Sequence, residues 1–436
     1  MKIEQIYTNC LAEAAYYIES NGEACIIDPL RETQPYLDII KENKVSLKYV
    51  FETHFHADFV SGHVDLAQET GATIVYGPNA STNYPVHIAQ DKEIFNIGNI
   101  TIEVIHTPGH TFESSTYLLR DEEGNMHCIF SGDTLFIGDV GRPDLAIKTN
   151  YSREDLAAML YDSLRNKIMT LPDSVIVYPA HGAGSACGKN LSDERFDTLG
   201  NQKKTNYALR SDMSKEEFVK EVLDGLAPAP QYFAKNAALN KNGYESFKQV
   251  LNNGTEALSL EEFKAQLNKD DVLLLDTRTE HDFVKNHIPN ALFIGLNGSF
   301  APWVGTLITD IKQKILLLTP IGKEEETVTR LARVGYDNCI GYLSGGMETW
   351  IKANEPLEQV RTISPKELES TNPLNIVDVR KQGEWNASHL ENATLLPLDD
   401  IMNNFTEYTA NKDTYIHCAG GYRSMIAASI LKARGF

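Results

Sequence analysis

Over the first 120 residues the apolar positions fall into short β-rich runs, at 15–18, 24–27, 47–51, 73–76 and 100–105. Between them, 35–43 and 61–70 space their apolar residues three to four apart, which predicts two helices. Strand runs interrupted by isolated helices predict a sheet-on-sheet core covered by helices. Each polar cluster falls where a predicted strand gives way to a loop. These edges are Asp28-Pro29, the stretch 53–63, His106-Thr107-Pro108-Gly109-His110, Gly132-Asp133 and Tyr178-Pro179-Ala180-His181-Gly182. Packing alone does not require His or Asp at so many edges.

From Gly184 to about Gly243 the pattern is polar and predicts helix, with Ala227-Pro228-Ala229-Pro230 marking a turn. An internal repeat follows. Leu273-Leu274-Leu275-Asp276-Thr277-Arg278 and then His287 parallel Asn375-Ile376-Val377-Asp378-Val379-Arg380 and then His389. Asp precedes His by eleven residues in both copies, with Phe283 and Trp385 in between. A helical opening, 259–267 or 364–370, precedes each copy. Two α/β domains are the economical explanation of so long a repeat.

Composition adds limits. A chain of 436 residues exceeds one ordinary core, and the boundaries expected are 1–245, 255–358 and 360–436. A net charge of −20 argues against a nucleic-acid surface. No apolar run approaches the roughly eighteen residues that span a bilayer, and Met1-Lys2-Ile3-Glu4-Gln5 shows no export layout. Cys10, Cys25, Cys128, Cys187, Cys339 and Cys418 form no CxxC pair, so reduced thiols and a cytoplasmic location are expected.

The stretch Thr53-His54-Phe55-His56-Ala57-Asp58-Phe59 sets two imidazoles and a carboxylate at the exit of the 47–51 strand, a donor set for a divalent metal. It resembles the T-H-x-H-x-D-H motif of the metallo-β-lactamase fold superfamily. His110 after Pro108-Gly109, Asp133 in Ser131-Gly132-Asp133 and His181 in Pro179-Ala180-His181-Gly182 resemble the rest of that superfamily's ligands. The resemblance covers about residues 1–240 and implies an αββα fold. Phe59 stands where the motif has its last His, and a phenyl ring cannot ligate; this undermines the second metal of binuclear hydrolases. His54, His110 and Asp133 would remain as a 2-His-1-carboxylate triad for one Fe(II) per chain. The resemblance is then to persulfide dioxygenases, which oxidise a thiol persulfide with O2 to sulfite and thiol. Gly141-Arg142-Pro143-Asp144 and the 233–240 stretch Phe-Ala-Lys-Asn-Ala-Ala-Leu-Asn look like that family too. His56, Asp58, His181 and Arg142 are expected around the ligands, orienting them or bound water.

Cys418 lies between a predicted strand, 414–417, and a predicted helix, 425–431, in Cys418-Ala419-Gly420-Gly421-Tyr422-Arg423. Backbone N–H groups at such a loop and helix start favour a thiolate and an anionic persulfide. With Asp378, Arg380 and His389 upstream, this resembles a rhodanese domain with its six-residue sulfur-accepting loop. The first repeat reads Leu318-Thr319-Pro320-Ile321-Gly322-Lys323 at that place and has no cysteine. It resembles an inactive rhodanese-like domain, with a structural or docking role. No Gly-Gly-x-x-x-Trp follows the second loop, so a shorter sheet is expected there. Cys187, six residues past His181, is expected to handle persulfide at the metal site, with Lys189 favouring its thiolate.

In this order the chain resembles CstB-type persulfide dioxygenase–rhodanese fusions. The resemblance implies an enzyme acting on a small-molecule thiol persulfide, O2 and sulfite, with thiosulfate as the joint product. The biological reading is detoxification of sulfide and its persulfides. A homo-oligomer with no nucleic-acid or membrane partner is expected. The competing readings are a glyoxalase II-like thioester hydrolase and a non-catalytic sulfur carrier. The identity of the thiol stays open.

Overall fold

The computed structural model describes residues 1–145, 151–371, 375–408 and 413–436. They divide into two units, 1–247 with 333–335, and 248–332 with 336–436.

The first unit holds two six-stranded sheets. One runs β1 (Lys2–Thr8), β2 (Glu13–Ser20), β3 (Glu23–Ile27), β4 (Ser46–Glu52), β5 (Thr73–Tyr76), β6 (His87–Ile88) in spatial order. The other runs from β7 (Ile94–Ile97) through β8 (Ile100–His106), β9 (Ser115–Arg120), β10 (Met126–Gly132) and β11 (Ile176–Pro179) to β12 (Asp197–Thr198). Alternation along β2 shows how the layers form. Ala14, Tyr16 and Ile18 enter the core between the sheets, where they join Phe51, Val104, Tyr117 and Phe130. Ala15 and Tyr17 point the other way, into a core with Tyr36 and Leu66, residues of helices α1 (Gln34–Asn43) and α2 (His63–Thr70). Helices α3 (Arg153–Ser163) and α5 (Lys215–Leu223) cover the second sheet through Leu160, Phe218 and Val222. Strands buried on both faces need apolar residues in both phases, which is what β2 supplies. The αββα expectation for this unit holds.

The polar stretch after Gly184 is helical only from Leu199. Residues 184–196 form loop, and the helices are separate: α4 (Leu199–Thr205), α5, and α6 (Phe233–Asn242) beyond the 227–230 turn. Gly184 takes a φ of +100°, a left-handed geometry that breaks helix at the outset. Helix α7 (Phe247–Gly254) follows.

The second unit contains β13 (Ala257–Leu258), α8 (Leu260–Leu267), β14 (Val272–Asp276), α9 (Glu280–Lys285), β15 (Leu292–Phe293), α10 (Phe300–Leu307), β16 (Lys314–Leu318), α11 (Glu324–Ala332), β17 (Cys339–Leu343) and α12 (Gly346–Lys352). Its five strands pair in parallel, in the order β13-β17-β16-β14-β15. After α13 (Pro365–Thr371) a smaller parallel sheet has the order β19-β18-β20, from β18 (Ile376–Asp378), β19 (Ala393–Leu395) and β20 (Tyr415–His417). Helix α14 (Gln382–Ala387) lies between its first two strands and α15 (Tyr422–Lys432) follows the last.

The eleven-residue Asp-to-His spacing has a structural cause. At the end of each first strand an Asp holds an Arg two residues on: Arg278 Nη2 donates to Asp276 at 2.6 Å, and Arg380 Nη2 to Asp378 at 2.7 Å. The same guanidinium then donates to the carbonyl just before the His, Asn286 at 2.8 Å or Ser388 at 2.7 Å. Each His stacks at 3.9 Å on the aromatic four residues earlier, Phe283 or Trp385. The repeat therefore encodes a strand-to-helix brace, buried in the first copy and largely exposed in the second, independent of sulfur chemistry.

Candidate metal centre and sulfur loop

The chain turns at the end of β4 because Thr53 is tied to Asp28, at the end of β3. Its N–H and its hydroxyl donate to the two Asp28 oxygens, both at 2.8 Å. With its proton committed, Thr53 Oγ1 can only accept from His54 Nδ1, 2.9 Å away. His54 Nε2 is left with its lone pair. His110 reaches the same state by another route, its Nδ1 lying 2.8 Å from the carbonyl of Arg142, which can only accept. His181 repeats the device with its Nδ1 3.2 Å from the Ala12 carbonyl. Three tautomers are thereby fixed by acceptors behind the rings, as in metal-binding imidazoles.

These Nε2 atoms surround Asp133, just past β10. Asp133 Oδ2 is 3.3 Å from His110 Nε2 and 3.9 Å from His54 Nε2, and Oδ1 is 3.5 Å from His181 Nε2. All four residues are buried, and among the described residues neither Asp133 oxygen has a hydrogen-bond partner. Burial and the neighbouring His56, His110 and His181 hold His54 well below the usual imidazole range, so it is neutral. Unpaired carboxylate oxygens facing imidazole lone pairs cannot satisfy one another, and burying them so is costly. A cation between them removes the mismatch. The donor atoms of His54, His110 and Asp133 all lie within 4.8 Å of one another, so this group fits a metal ion.

His56, Asp58 and His181 form an adjacent group with the same spread. His181 Nε2 is 3.4 Å from Asp58, whereas His56 Nε2 is 3.0 Å from Asp28 and 3.7 Å from Glu52. Burial opposes charge on His56, but Asp28, Glu52 and Asp58 outweigh it and raise the ring to about 9. The phenyl ring of Phe59 packs against this imidazole and is fully buried.

Three further residues support the motif, and the sequence assigned a role to none of them. Asp28 and Glu52 hold the motif from below; of these only Asp28 gave a signal, as a strand-end acid before proline. Asn240, at the end of the 233–240 stretch, clamps the motif from above. Its Nδ2 donates to the carbonyls of His56 and Phe59, both at 2.8 Å, and its Oδ1 accepts from Ser61 N–H at 2.9 Å.

Arg142 is buried behind His110. It forks onto Asp144 at 2.6 and 2.7 Å and donates to the carbonyls of Ala186 and Ala227, while its N–H bonds the Cys187 carbonyl at 2.9 Å. It therefore ties the His110 acceptor to the loop that carries Cys187. Gly141 beside it has no room for a side chain: a Cβ would stand 2.0 Å from the Asp133 carbonyl oxygen. The sulfur of Cys187 lies within 4.8 Å of donor atoms on Asp133 and His181. Lys189 does not favour its thiolate, contrary to expectation, because Lys189 Nζ binds the carbonyls of Glu221 and Asp224 at 2.6 and 3.0 Å. Burial pushes the Cys187 thiol well up, and the Asp58 and Asp133 carboxylates push it further.

In the second unit, Cys418 sits between β20 and α15. Gly421 N–H points at its sulfur from 3.1 Å, and Ser424 Oγ is 3.6 Å away. Burial alone would raise this thiol, but hydrogen bonds from Ser424, Gly420 and Gly421 outweigh it and the net shift is downward. Arg423 closes the loop with a fork onto Glu384 at 2.6 and 2.8 Å. Ala419, Gly420 and Gly421 supply the bare backbone of the turn. At the matching place in the first repeat, Ile321 and its neighbours carry no thiol.

Comparison with known proteins agrees with this geometry. A family model for the metallo-beta-lactamase superfamily matches residues 8–181. One for rhodanese-like domains matches 259–353 and 364–436. The human mitochondrial persulfide dioxygenase ETHE1 is 33% identical over 48% of this chain and 74% of its own length. A probable hydroxyacylglutathione hydrolase of Schizosaccharomyces pombe is also 33% identical, over 37% of this chain; the chain spans 60% of that protein's length. A crystal structure of a metallo-beta-lactamase from Staphylococcus aureus subsp. aureus COL superposes with a TM-score of 0.69 at 30% identity, covering 79% of this chain and 98% of that one.

Proposed function

This chain belongs to the metallo-β-lactamase superfamily through its first unit and carries rhodanese-like domains after it, and from that premise we propose a persulfide dioxygenase joined to a thiosulfate-forming sulfurtransferase. The observation that carries the reading is the donor set. His54, His110 and Asp133 converge with their lone pairs free, while in the neighbouring group His56 is paired with Asp28 and Phe59 offers no donor. Such a set holds one ferrous ion with open positions. Iron there would supply the redox partner that triplet dioxygen requires and that zinc cannot offer.

The chain's own residues do the rest. Thr53 and the Arg142 carbonyl hold the two ligand imidazoles in the tautomer that presents Nε2. Phe59 and Asn240 keep the motif loop closed and dry on the side of the second group. The balanced reaction is RSSH + O2 + H2O giving RSH, sulfite and two protons, with the outer sulfur oxidised by four electrons. The Cys418 thiolate takes the outer sulfur of a second RSSH, releasing RSH, and passes it to sulfite; the Cys418 S–S bond breaks, thiosulfate forms and the thiolate is returned. Cys187 is assigned to the metal cavity, and Cys187→Ser tests whether turnover needs it. The reading places the enzyme in removal of sulfide-derived persulfides, acting in the cytoplasm on a small-molecule thiol persulfide.

The hydrolase relatives and the second donor group support a rival reading, thioester hydrolysis with two metals. Iron loading without air, followed by O2 uptake over a panel of thiol persulfides, separates the two. One iron per chain is expected, with one O2 consumed per sulfur oxidised to sulfite, and so one O2 per two persulfides where thiosulfate is the product. Two zinc ions per chain, thioester cleavage and no O2 uptake would overturn the proposal.

A further inference from the structure

Tyr422 is the first residue of α15 and adjoins Gly421, whose N–H faces the Cys418 sulfur. Its side chain leaves its own repeat. The hydroxyl donates to the carbonyl of Gly295 at 2.6 Å, just past β15 of the cysteine-less repeat. The ring lies flush against Gly298, where a Cβ would come within 2.4 Å of its Cζ. Phe293 meets the same ring edge-on at 6.0 Å. This turn is stiffened from behind by Arg330, which donates to the carbonyls of Leu296 at 2.6 Å and Gly298 at 3.4 Å. The glycine pair is particular to this repeat: after β15 the chain reads Ile294-Gly295-Leu296-Asn297-Gly298, after β19 Leu396-Pro397-Leu398-Asp399-Asp400. Of the two, Gly298 is the glycine that leaves room for the tyrosine ring, whereas Gly295 meets Tyr422 through its carbonyl.

We infer that the cysteine-less repeat is a working half of the sulfur-transfer site, its 295–298 turn acting through Tyr422 to hold the Cys418 loop in the shape that presents Gly421 N–H to the sulfur. Tyr422 is then a positioning residue. The loop has two anchors beyond Gly421, one from each repeat: the Arg423–Glu384 fork and the Tyr422–Gly295 bond. Releasing the second lets the Gly421 peptide rotate away and takes a donor from the sulfur anion. The inference rests on the sulfurtransferase reading, but its test does not need turnover.

The test is the pH dependence of Cys418 alkylation by iodoacetamide in the full-length chain, with the site read by peptide mass spectrometry because Cys10 is also partly exposed. Tyr422→Phe removes only the hydroxyl, and Gly298→Ala attacks the same contact from the other repeat. Both are expected to move the profile alkaline and to slow alkylation at neutral pH roughly fivefold, the worth of one net hydrogen bond. Ser429→Ala is the control. It removes a different bond between the repeats, Phe293 N–H to Ser429 Oγ at 3.0 Å, and is expected to leave the profile where it was. Unchanged profiles in Tyr422→Phe and Gly298→Ala overturn the inference, and so does an equal shift in Ser429→Ala, which would mean general loosening. Failure of the unaltered chain to pass sulfur to sulfite would refute the sulfurtransferase reading instead, with the alkylation profile still deciding the clamp.

Discussion

The Phe59 ring centroid lies 4.4 Å from that of His56, at an interplanar angle of 34°. An apolar ring thus lies beside His56, Asp58 and His181, a group otherwise close enough to share an ion. Phe59→His returns a nitrogen donor to that place. The expected result is a second metal ion per chain when the variant is loaded with zinc, measured by elemental analysis against the unaltered chain. Equal metal content in both would show that the His56–Asp28 pair, and not Phe59, closes the second group.

Asn240 ties α6 to the motif loop with three hydrogen bonds and is fully buried. Asn240→Ala leaves the carbonyls of His56 and Phe59 and the N–H of Ser61 without partners. Each orphaned buried group costs about 1–3 kcal/mol, so a total loss of about 3 kcal/mol in denaturant unfolding is expected once some water enters. Metal affinity should fall with it, because the released His56 carbonyl lies two residues from both His54 and Asp58.

Most of the first unit was legible because its strands are buried on both faces and their ends carry the polar residues. The predicted runs 73–76 and 100–105 fall within β5 and β8, and 35–43 within α1. The candidate metal donors were visible as a set because each follows a strand exit, where alternation stops and His or Asp appears. What could not be read was the support behind them. Asn240 lies 179 to 184 residues from its partners in the chain, and an asparagine on a polar helix gives no sign of whether it is buried. Lys189 failed for the opposite reason. Proximity in sequence to Cys187 suggested a thiolate partner, but a four-carbon stem reaches the carbonyls of Glu221 and Asp224 instead.

Acid should loosen the sulfur loop in a definite window. The Arg423 guanidinium beside Glu384 lowers its carboxyl from 4.5 to about 2. A carboxylate with a depressed folded value favours the folded state fully above its unfolded value, and that contribution fades as pH falls through the folded one. The Arg423–Glu384 fork should therefore stabilise the domain above about pH 4.5 and be lost progressively toward pH 2. In Glu384→Gln this segment of the stability–pH curve should flatten. The measurement is thermal unfolding across pH 2–6; parallel curves would show that the fork contributes nothing through its charge.

Cys418→Ser separates the two proposed activities. Serine is nearly isosteric, and Gly421 N–H can still donate to its oxygen, so the loop and α15 should keep their places and unfolding should be unchanged. The hydroxyl cannot carry a persulfide under these conditions, so transfer to sulfite stops. His54, His110 and Asp133 belong to the other unit and are untouched. Oxygen uptake should therefore persist, rising from one O2 per two persulfides to one per persulfide, while the product changes from thiosulfate to sulfite, read by ion chromatography. Thiosulfate at the unaltered yield would mean that sulfur reaches sulfite without Cys418. A parallel fall in O2 uptake would mean that the dioxygenase step itself depends on this cysteine, and the division of labour would be wrong.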